Sequence, residues 1–457
     1  MTGRLIVVSN RIPTEAQPSG GLVVALHDCL SEEGGVWIGT SGKPVENPAP
    51  QMRQIASVPY TRMVFDISPD EHEGYYLGYA NSVLWPLFHR RADLIDLQPE
   101  FTDQYLQVNA RLADMLAAFV GPEDLIWIHD YHFLPLASFL RAAGVTCRIG
   151  FFLHIPFPVV SDIMALPQAD ELKGWVAAYD VFGVQTAGDV SRVLAHYRND
   201  PDAIFDTQGR LITSEGGPNP QHFPIGINAA EFAALAAAND GDVPLGLAPG
   251  QKLVLGVDRL DYSKGLVHRF EGFAAYLDSR SADIPKATLL QIAPPSREDV
   301  DAYRDIRETL EQTTGTINGA HAELDWTPIR YLNQNVPRDR LADVYRQADV
   351  AMVTPLADGM NLVAKEYVAA QDPDDPGVLI LSHFAGAAEQ LTDALLVNPY
   401  DAQEVSAALH KALTMPLAER QARHVALLHN VMTEDIAWWT RSNLAALRGS
   451  DGIKAAS

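Results

Sequence analysis

Short apolar runs alternate with longer amphipathic stretches along most of the chain. Residues 4–10 (RLIVVSN), 124–130 (DLIWIHD), 147–154 (CRIGFFLH) and 181–186 (VFGVQT) read as buried strands, and 21–30 (GLVVALHDCL) as a helix. Within 103–120, Leu106, Val108, Leu112, Met115, Leu116 and Phe119 recur at roughly helical spacing. This alternation predicts a parallel sheet with helices on both faces. After FPIGI (223–227) the pattern weakens, and 233–252, rich in Ala, Gly, Pro and Asp, reads as a linker region. The alternation then restarts. Strands are expected at 252–257, 287–293, 328–333, 350–355 and 377–382, with helices at 265–278, 298–312, 338–347 and 361–371 between them.

The expected architecture is therefore α/β, with two Rossmann-like doubly wound domains of similar size, 1–228 and 229–435. Ligands of such sheets sit beyond the carboxyl ends of the strands, and an inter-domain cleft is the expected site. A length of 457 residues is ample for two cores.

Charge narrows the function. The chain carries 34 Lys+Arg against 58 Asp+Glu, a formal net charge of −24. That balance disfavours general binding to nucleic acid or to an anionic membrane. Any anionic ligand then needs Arg and Lys placed locally against the global field. Two cysteines, Cys29 and Cys147, make neither a disulfide framework nor a zinc site, and point to a reducing cytoplasm. The start, MTGRLIVVSNR, turns polar too soon for a signal peptide. The longest nearly apolar run, IGFFLHIPFPVV, is interrupted by His154 and two prolines and falls well short of a membrane span.

Five stretches carry candidate chemistry, each at a strand end. In SNRIP…SGG, Arg11 follows a strand and Gly20-Gly21 opens a helix, where free amides attract anions. No G-x-G-x-x-G or Walker motif occurs, so dinucleotide and P-loop readings lose ground. WIHDYHFLP delivers His129, Asp130 and His132; adjacent strand residues point to opposite faces, which argues against a metal site and for Asp130 as a hydroxyl acceptor. FFLHIPFP sets His154 before two rigid prolines. RLDYSKG offers Arg259 as a bidentate fork and Lys264 as a point charge for phosphate, against a plain reading as a solvated loop paired with Asp258 and Asp261. TPLADGMNLVAKE sets Asp358 before a helix that starts near Asn361 and carries Glu366 within it, able to accept from ribose hydroxyls. Arg297 and Arg338 also follow strands, and with Arg259 and Lys264 would make one rim of four cations.

Taken in order, SNR, GG, NSVLWPLFH, WIHDYH, RIGFFLHIPFP, RLDYSKG, TPLADGMNLVAKEYVAAQ and SHFAGAAEQL closely resemble the retaining glycosyltransferase family 20, from about residue 4 to about 440. The resemblance implies the glycosyltransferase B (GT-B) fold, with C-terminal helices of about 436–457 rejoining the first, acceptor-binding domain. It implies transfer of glucose from a nucleoside diphosphate glucose, typically UDP-glucose, to glucose 6-phosphate, giving α,α-trehalose 6-phosphate with retained configuration. Carried over motif by motif, Arg259 and Lys264 would hold the donor diphosphate and Glu366 the ribose. Asn361, Leu362 and Val363 would bring backbone amides to the phosphates, and Asp358 and His154 would bind the transferred glucose. Gly20 and Gly21 would close over the donor. Arg11, Tyr76, Trp85, Asp130 and Arg297 would shape the acceptor site, with Arg11 and Arg297 on its phosphate.

The family mechanism is front-face, without a covalent enzyme intermediate, cofactor or required metal. It fits a sequence with no carboxylate pair standing out as acid and nucleophile. One departure is Thr40, where the family has a second tryptophan in W-x-G-W-S-G. Its absence removes a stacking surface for a sugar and leaves another phosphorylated acceptor, such as glycerol 3-phosphate or a cyclitol phosphate, in play. A nucleotide-sugar epimerase and a non-catalytic sugar-phosphate sensor are the readings from other classes. No D-x-D-G-[TS] motif occurs, so a separate phosphatase is expected to act on the product. Nothing in the pattern separates UDP, ADP and GDP, or a monomer from a homo-oligomer.

Overall fold

The computed structural model describes residues 3–13, 21–198, 200, 203–206, 211–212, 219–238, 241, 243–281, 284–296 and 301–449. Contacts divide the chain into a first unit, Met1–Pro224 with Ala437–Ser457, and a second unit, Ile225–Ile436.

The first unit is built on β1 (Leu5–Arg11), β2 (Val36–Thr40), β3 (Arg53–Ala56), β4 (Thr61–Phe65), β5 (Leu125–His129), β6 (Arg148–Phe152) and β7 (Val181–Val184). A small hairpin, β8 (Ile204–Phe205) and β9 (Leu211–Ile212), precedes the last strand of that sheet, β10 (Asn219–His222). The sheet order is β10-β7-β6-β5-β1-β2-β4-β3, parallel except at the β3–β4 edge. Its central strands are buried on both faces, so they read as continuous apolar runs rather than alternating ones. The order reverses between β1 and β5, and the carboxyl ends flanking that point are where a doubly wound sheet takes its ligand.

The second unit contains β11 (Lys252–Val257), β12 (Ala287–Ile292), β13 (Ile329–Leu332), β14 (Val350–Val353), β15 (Val378–Ser382) and β16 (Leu395–Val397). They lie in the order β13-β12-β11-β14-β15-β16, all parallel, and reverse between β11 and β14. Phe270, Phe273 and Tyr276, from the helix Leu266–Ser279, pack with Val254, Leu289 and Met352 in one apolar core.

Several expectations need correction. The stretch expected as a linker from 233 begins inside the helix Ala229–Ala238, which buries Phe232 and Ala236. Alanine composition alone does not separate a linker from a good helix former. The helix expected at 298–312 runs over Asp301–His321, with 298–300 outside the described residues. A 13-residue π-helix, His72–Leu84, was not legible, because its wider turn matches no standard hydrophobic period. Its geometry shows in side-chain bonds reaching five residues back, Asn81 Nδ2 donating to the Tyr76 carbonyl and Ser82 Oγ to that of Leu77.

The helix Ile436–Leu447 lays Trp439 between Trp127 and Phe152 of the first unit, with ring centroids 5.1 and 5.0 Å away. No helix among the described residues is long and apolar enough to cross a membrane.

Candidate functional site

Two sets of polar side chains sit at the two strand reversals, one set in each unit. In the second unit, β11 ends in Asp258, Arg259 and a single turn, Tyr262–Lys264. Asp261 caps that turn by accepting from the Ser263 amide, and Tyr303 Oη donates to its other oxygen. Gly265 then closes the turn at φ 63°, and a Cβ there would lie 2.1 Å from the Thr354 carbonyl oxygen. Only glycine allows this approach. The loop after β14 is drawn against it by the Leu356 amide, which donates to the Ser263 carbonyl at 2.7 Å.

The result is a buried charged cluster. Lys264 Nζ donates to Asp358 Oδ2 at 2.6 Å, with both side chains almost wholly enclosed. Asn361 Nδ2 donates to Asp358 Oδ2 at 3.0 Å and to Asp258 Oδ1 at 3.4 Å. Its Oδ1 accepts from the Ala364 amide, capping the helix Leu362–Ala370. The Leu362 and Val363 amides, in the first turn, have no acceptor inside that helix. Arg259 lies exposed on the same turn.

Beneath this cluster lies a cation that sequence reasoning missed. Arg269 is fully buried and bonds Asp258, Thr354 and Gln291 at 2.7, 2.9 and 2.8 Å. Gly256 makes room for it, since a Cβ there would come within 2.6 Å of its Nη1. A glycine inside an apolar strand was the available signal. Asp258 is thus paired with Arg269 rather than with the loop cations, and burial pushes its carboxyl up against the pull of Arg269 and Lys264.

Glu366 lies one turn along the helix and accepts from Tyr345 Oη at 3.3 Å. Burial lifts its carboxyl to about 7, against the pull of Arg338. Arg338 pairs with Glu231 at 2.9 Å and lies over the Phe232 ring, so it is a partnered cation and not simply one of a rim of four. Arg297 and Gly20 lie outside the described residues; Gly21 is the first residue of the helix Gly21–Glu33.

In the first unit, Arg11, Asp130 and His154 leave the carboxyl ends of the adjacent strands β1, β5 and β6. Arg11 donates to Tyr76 Oη at 3.0 Å, and the Tyr76 ring stacks on His132 at 5.8 Å and 11°. Asp130 adopts φ 74° and ψ 165°, a region nearly reserved for glycine, at a cost of about 1–3 kcal/mol. Its Oδ1 accepts from the His154 amide at 3.3 Å, and its own amide donates to the Phe152 carbonyl. These bonds hold the strained backbone and set the carboxylate beside the His154 amide. Asn361, at φ 82°, is the counterpart in the second unit.

The His154 ring meets His129 at 3.2 Å, and burial pushes it down to about 3. It is therefore a neutral ring at any physiological pH. Trp85 sits in the core against His89 and Tyr131. Thr40, beside Arg11 across β1 and β2, donates its hydroxyl to the Asn10 carbonyl at 2.7 Å. Among the described residues no cluster of three or more His, Cys, Asp or Glu is disposed to hold a metal ion.

Two doubly wound units, each with charged and polar side chains at its strand reversal, match the GT-B fold of the glycosyltransferases to which the chain is similar. The profile described as Glycosyltransferase family 20 matches residues 5–449, and the chain belongs to that family. It is 46% identical to a trehalose-6-phosphate synthase of Cronobacter sakazakii, over 97% of this chain and 95% of the relative. A UDP-forming α,α-trehalose-phosphate synthase from Burkholderia xenovorans, in complex with glucose-6-phosphate, superposes with a TM-score of 0.91 at 45% identity, covering 98% of this chain and 100% of the other. An E. coli trehalose-6-phosphate protein bound with UDP-2-fluoro glucose gives the same score and identity, over 98% and 99%.

Proposed function

We propose that this protein transfers glucose from UDP-glucose to glucose 6-phosphate, yielding α,α-trehalose 6-phosphate and UDP with retention at the anomeric carbon. The observation that carries this reading is the enclosed Lys264–Asp358–Asn361 cluster beside the first-turn amides of a helix. Such a site suits a diphosphate linked to a sugar: the cation and amides take the phosphate oxygens, and the carboxylate takes sugar hydroxyls. Family membership and 46% identity to a trehalose-6-phosphate synthase support the choice of substrates.

In this reading Arg259 and Lys264 hold the diphosphate, and Leu362 and Val363 supply amides. Glu366 accepts from ribose, while Asp358 and neutral His154 hold the transferred glucose. The second unit thus binds the nucleotide and its diphosphate. The first unit binds the acceptor: Arg11 and Arg297 take its phosphate, and Tyr76 and Asp130 meet its ring. Trp85 backs that surface from the core. Gly20 and Gly21 close over the donor.

The bond from glucose C1 to the diphosphate oxygen breaks first, with charge collecting on that oxygen beside Lys264 and Arg259. The same oxygen then takes the proton of the acceptor's anomeric hydroxyl as the new C1–O bond forms on the same face. Rate enhancement comes from positioning and from fixed cations at the leaving group. Both cysteines are unpaired and buried, which suits action in the cytoplasm, with a separate phosphatase consuming the product.

Thr40 supports one second reading, another phosphorylated acceptor, because a hydroxyl spent on a backbone carbonyl offers no sugar-stacking face. One assay decides both. Nucleoside diphosphate release is followed from UDP-, ADP- and GDP-glucose, each with glucose 6-phosphate, glycerol 3-phosphate or no acceptor, and with EDTA present. Release from UDP-glucose that requires glucose 6-phosphate is expected. Release without acceptor, or only with glycerol 3-phosphate, would overturn the assignment.

A further inference from the structure

His129 is a fully buried polar residue for which the proposed chemistry gives no task. It ends β5, next to strained Asp130, and its ring lies in a cage of Trp127, Phe152 and Trp439, with centroids at 4.5, 6.5 and 6.2 Å. Its Nδ1 lies 3.2 Å from His154 Nε2, within hydrogen-bond distance. Its other nitrogen, Nε2, is buried without a partner in the structure. Both rings are held neutral by burial. A bond between two neutral imidazoles uses one proton, so one ring donates and the other accepts.

The cage selects the donor. If His154 donated through Nε2, His129 would carry its own proton on Nε2, leaving a buried N–H with no acceptor. Orphaned buried N–H groups are rare because their full desolvation cost is uncompensated. If His129 donates through Nδ1, its Nε2 is a bare acceptor. The indole Nε1 of Trp439 in the same cage is likewise buried without a partner, and it can only donate. A bare Nε2 adds no second donor to an apolar cage that already holds one unpartnered N–H, whereas a protonated Nε2 would.

We infer that His129 is a positioning residue, whose Nδ1–H fixes His154 as the Nδ1–H tautomer and so makes His154 a hydrogen-bond donor, through Nδ1, to an oxygen of the bound sugar. The assignment of a sugar to His154 rests on the proposed function; the tautomer does not. The consequence is a fixed direction of recognition. A neutral ring with its proton locked on Nδ1 can give a hydrogen bond there and cannot receive one, so the sugar oxygen it meets must act as acceptor.

The test is a long-range proton–nitrogen NMR spectrum of the full-length, ligand-free protein labelled in histidine, with the His154 signals identified by their loss in His154→Asn. His154 is expected as the Nδ1–H form, with Nε2 unprotonated. In His129→Phe, which keeps the ring and removes the donor, His154 should become a mixture of tautomers, and kcat/KM for the nucleotide sugar should fall about ten- to a hundredfold. His129→Asn, which returns an N–H near the Nδ1 position, should restore the single tautomer and most of the rate. A wild-type His154 in the Nε2–H form would overturn the inference without any variant needing to fold. So would an unchanged tautomer in His129→Phe. If the spectra match but no nucleotide sugar turns over, the proposed reaction fails and the tautomer assignment stands.

Discussion

Loss of Arg269 should be felt strongly. The side chain is fully enclosed and holds Asp258, Thr354 and Gln291 at once. Arg269→Met would leave Asp258 charged and buried without its main partner, at a cost of about 3–5 kcal/mol. Urea unfolding measures this, and a loss below about 1 kcal/mol would contradict the buried pairing. Glu366 makes a prediction in pH. Burial raises its carboxyl from 4.5 to about 7, so between those values the native state keeps a proton that the unfolded chain releases. Stability from this group therefore falls as pH rises through that window. Denaturant midpoints at about pH 5 and about pH 7 should converge in Glu366→Gln relative to the parent.

At the scale of elements, the turn between β11 and its following helix depends on the backbone conformation of one glycine. Gly265→Ala sets a Cβ 2.1 Å from the Thr354 carbonyl oxygen, in a region alanine avoids. It should destabilise the protein by more than about 1 kcal/mol and, by pushing the loop after β14 away, loosen the Lys264–Asp358 pair. Weaker nucleotide binding by calorimetry, alongside a lower unfolding midpoint, is the expected result. Strands β1, β5, β6, β7 and β11 to β15 were legible because apolar runs bounded by turn residues mark them directly. The π-helix His72–Leu84, the strands β2, β3, β4 and β10 of the first sheet, and the short strand Leu395–Val397 were not. The π-helix has no familiar period, and these strands are too brief for their patterns to stand out.

At the scale of the whole molecule, the proposed division of labour between the units can be read kinetically. Arg11→Ala should raise KM for glucose 6-phosphate about tenfold while leaving that for the donor nearly unchanged, and Lys264→Ala should act on the donor side. Equal effects of either variant on both substrates would contradict the division. The C-terminal helix makes a structural prediction of its own. Trp439 fills the space between Trp127 and Phe152, so Trp439→Ala should cost about 3–5 kcal/mol in unfolding experiments, although it lies far from both in the chain.

The alternation of buried strands with helices, and the placing of Arg11, Asp130, His154, Arg259 and Asp358 at or just after strand ends, were written in the sequence. Both follow from local rules, hydrophobic period and the polarity of strand ends, that act within a few residues. Which charges pair was decided only by the tertiary structure. Lys264 and Asp358 are 94 positions apart, and Asn361 reaches Asp258 across 103. Parallel strands β11 and β14 are neighbours in the sheet, but β12 and β13 come between them in the chain. No local pattern carries that adjacency. Arg269 reads as an ordinary helical arginine until β11 is laid beside its helix, and the positive φ of Asp130 and Asn361 exists only because the surrounding bonds over-determine it.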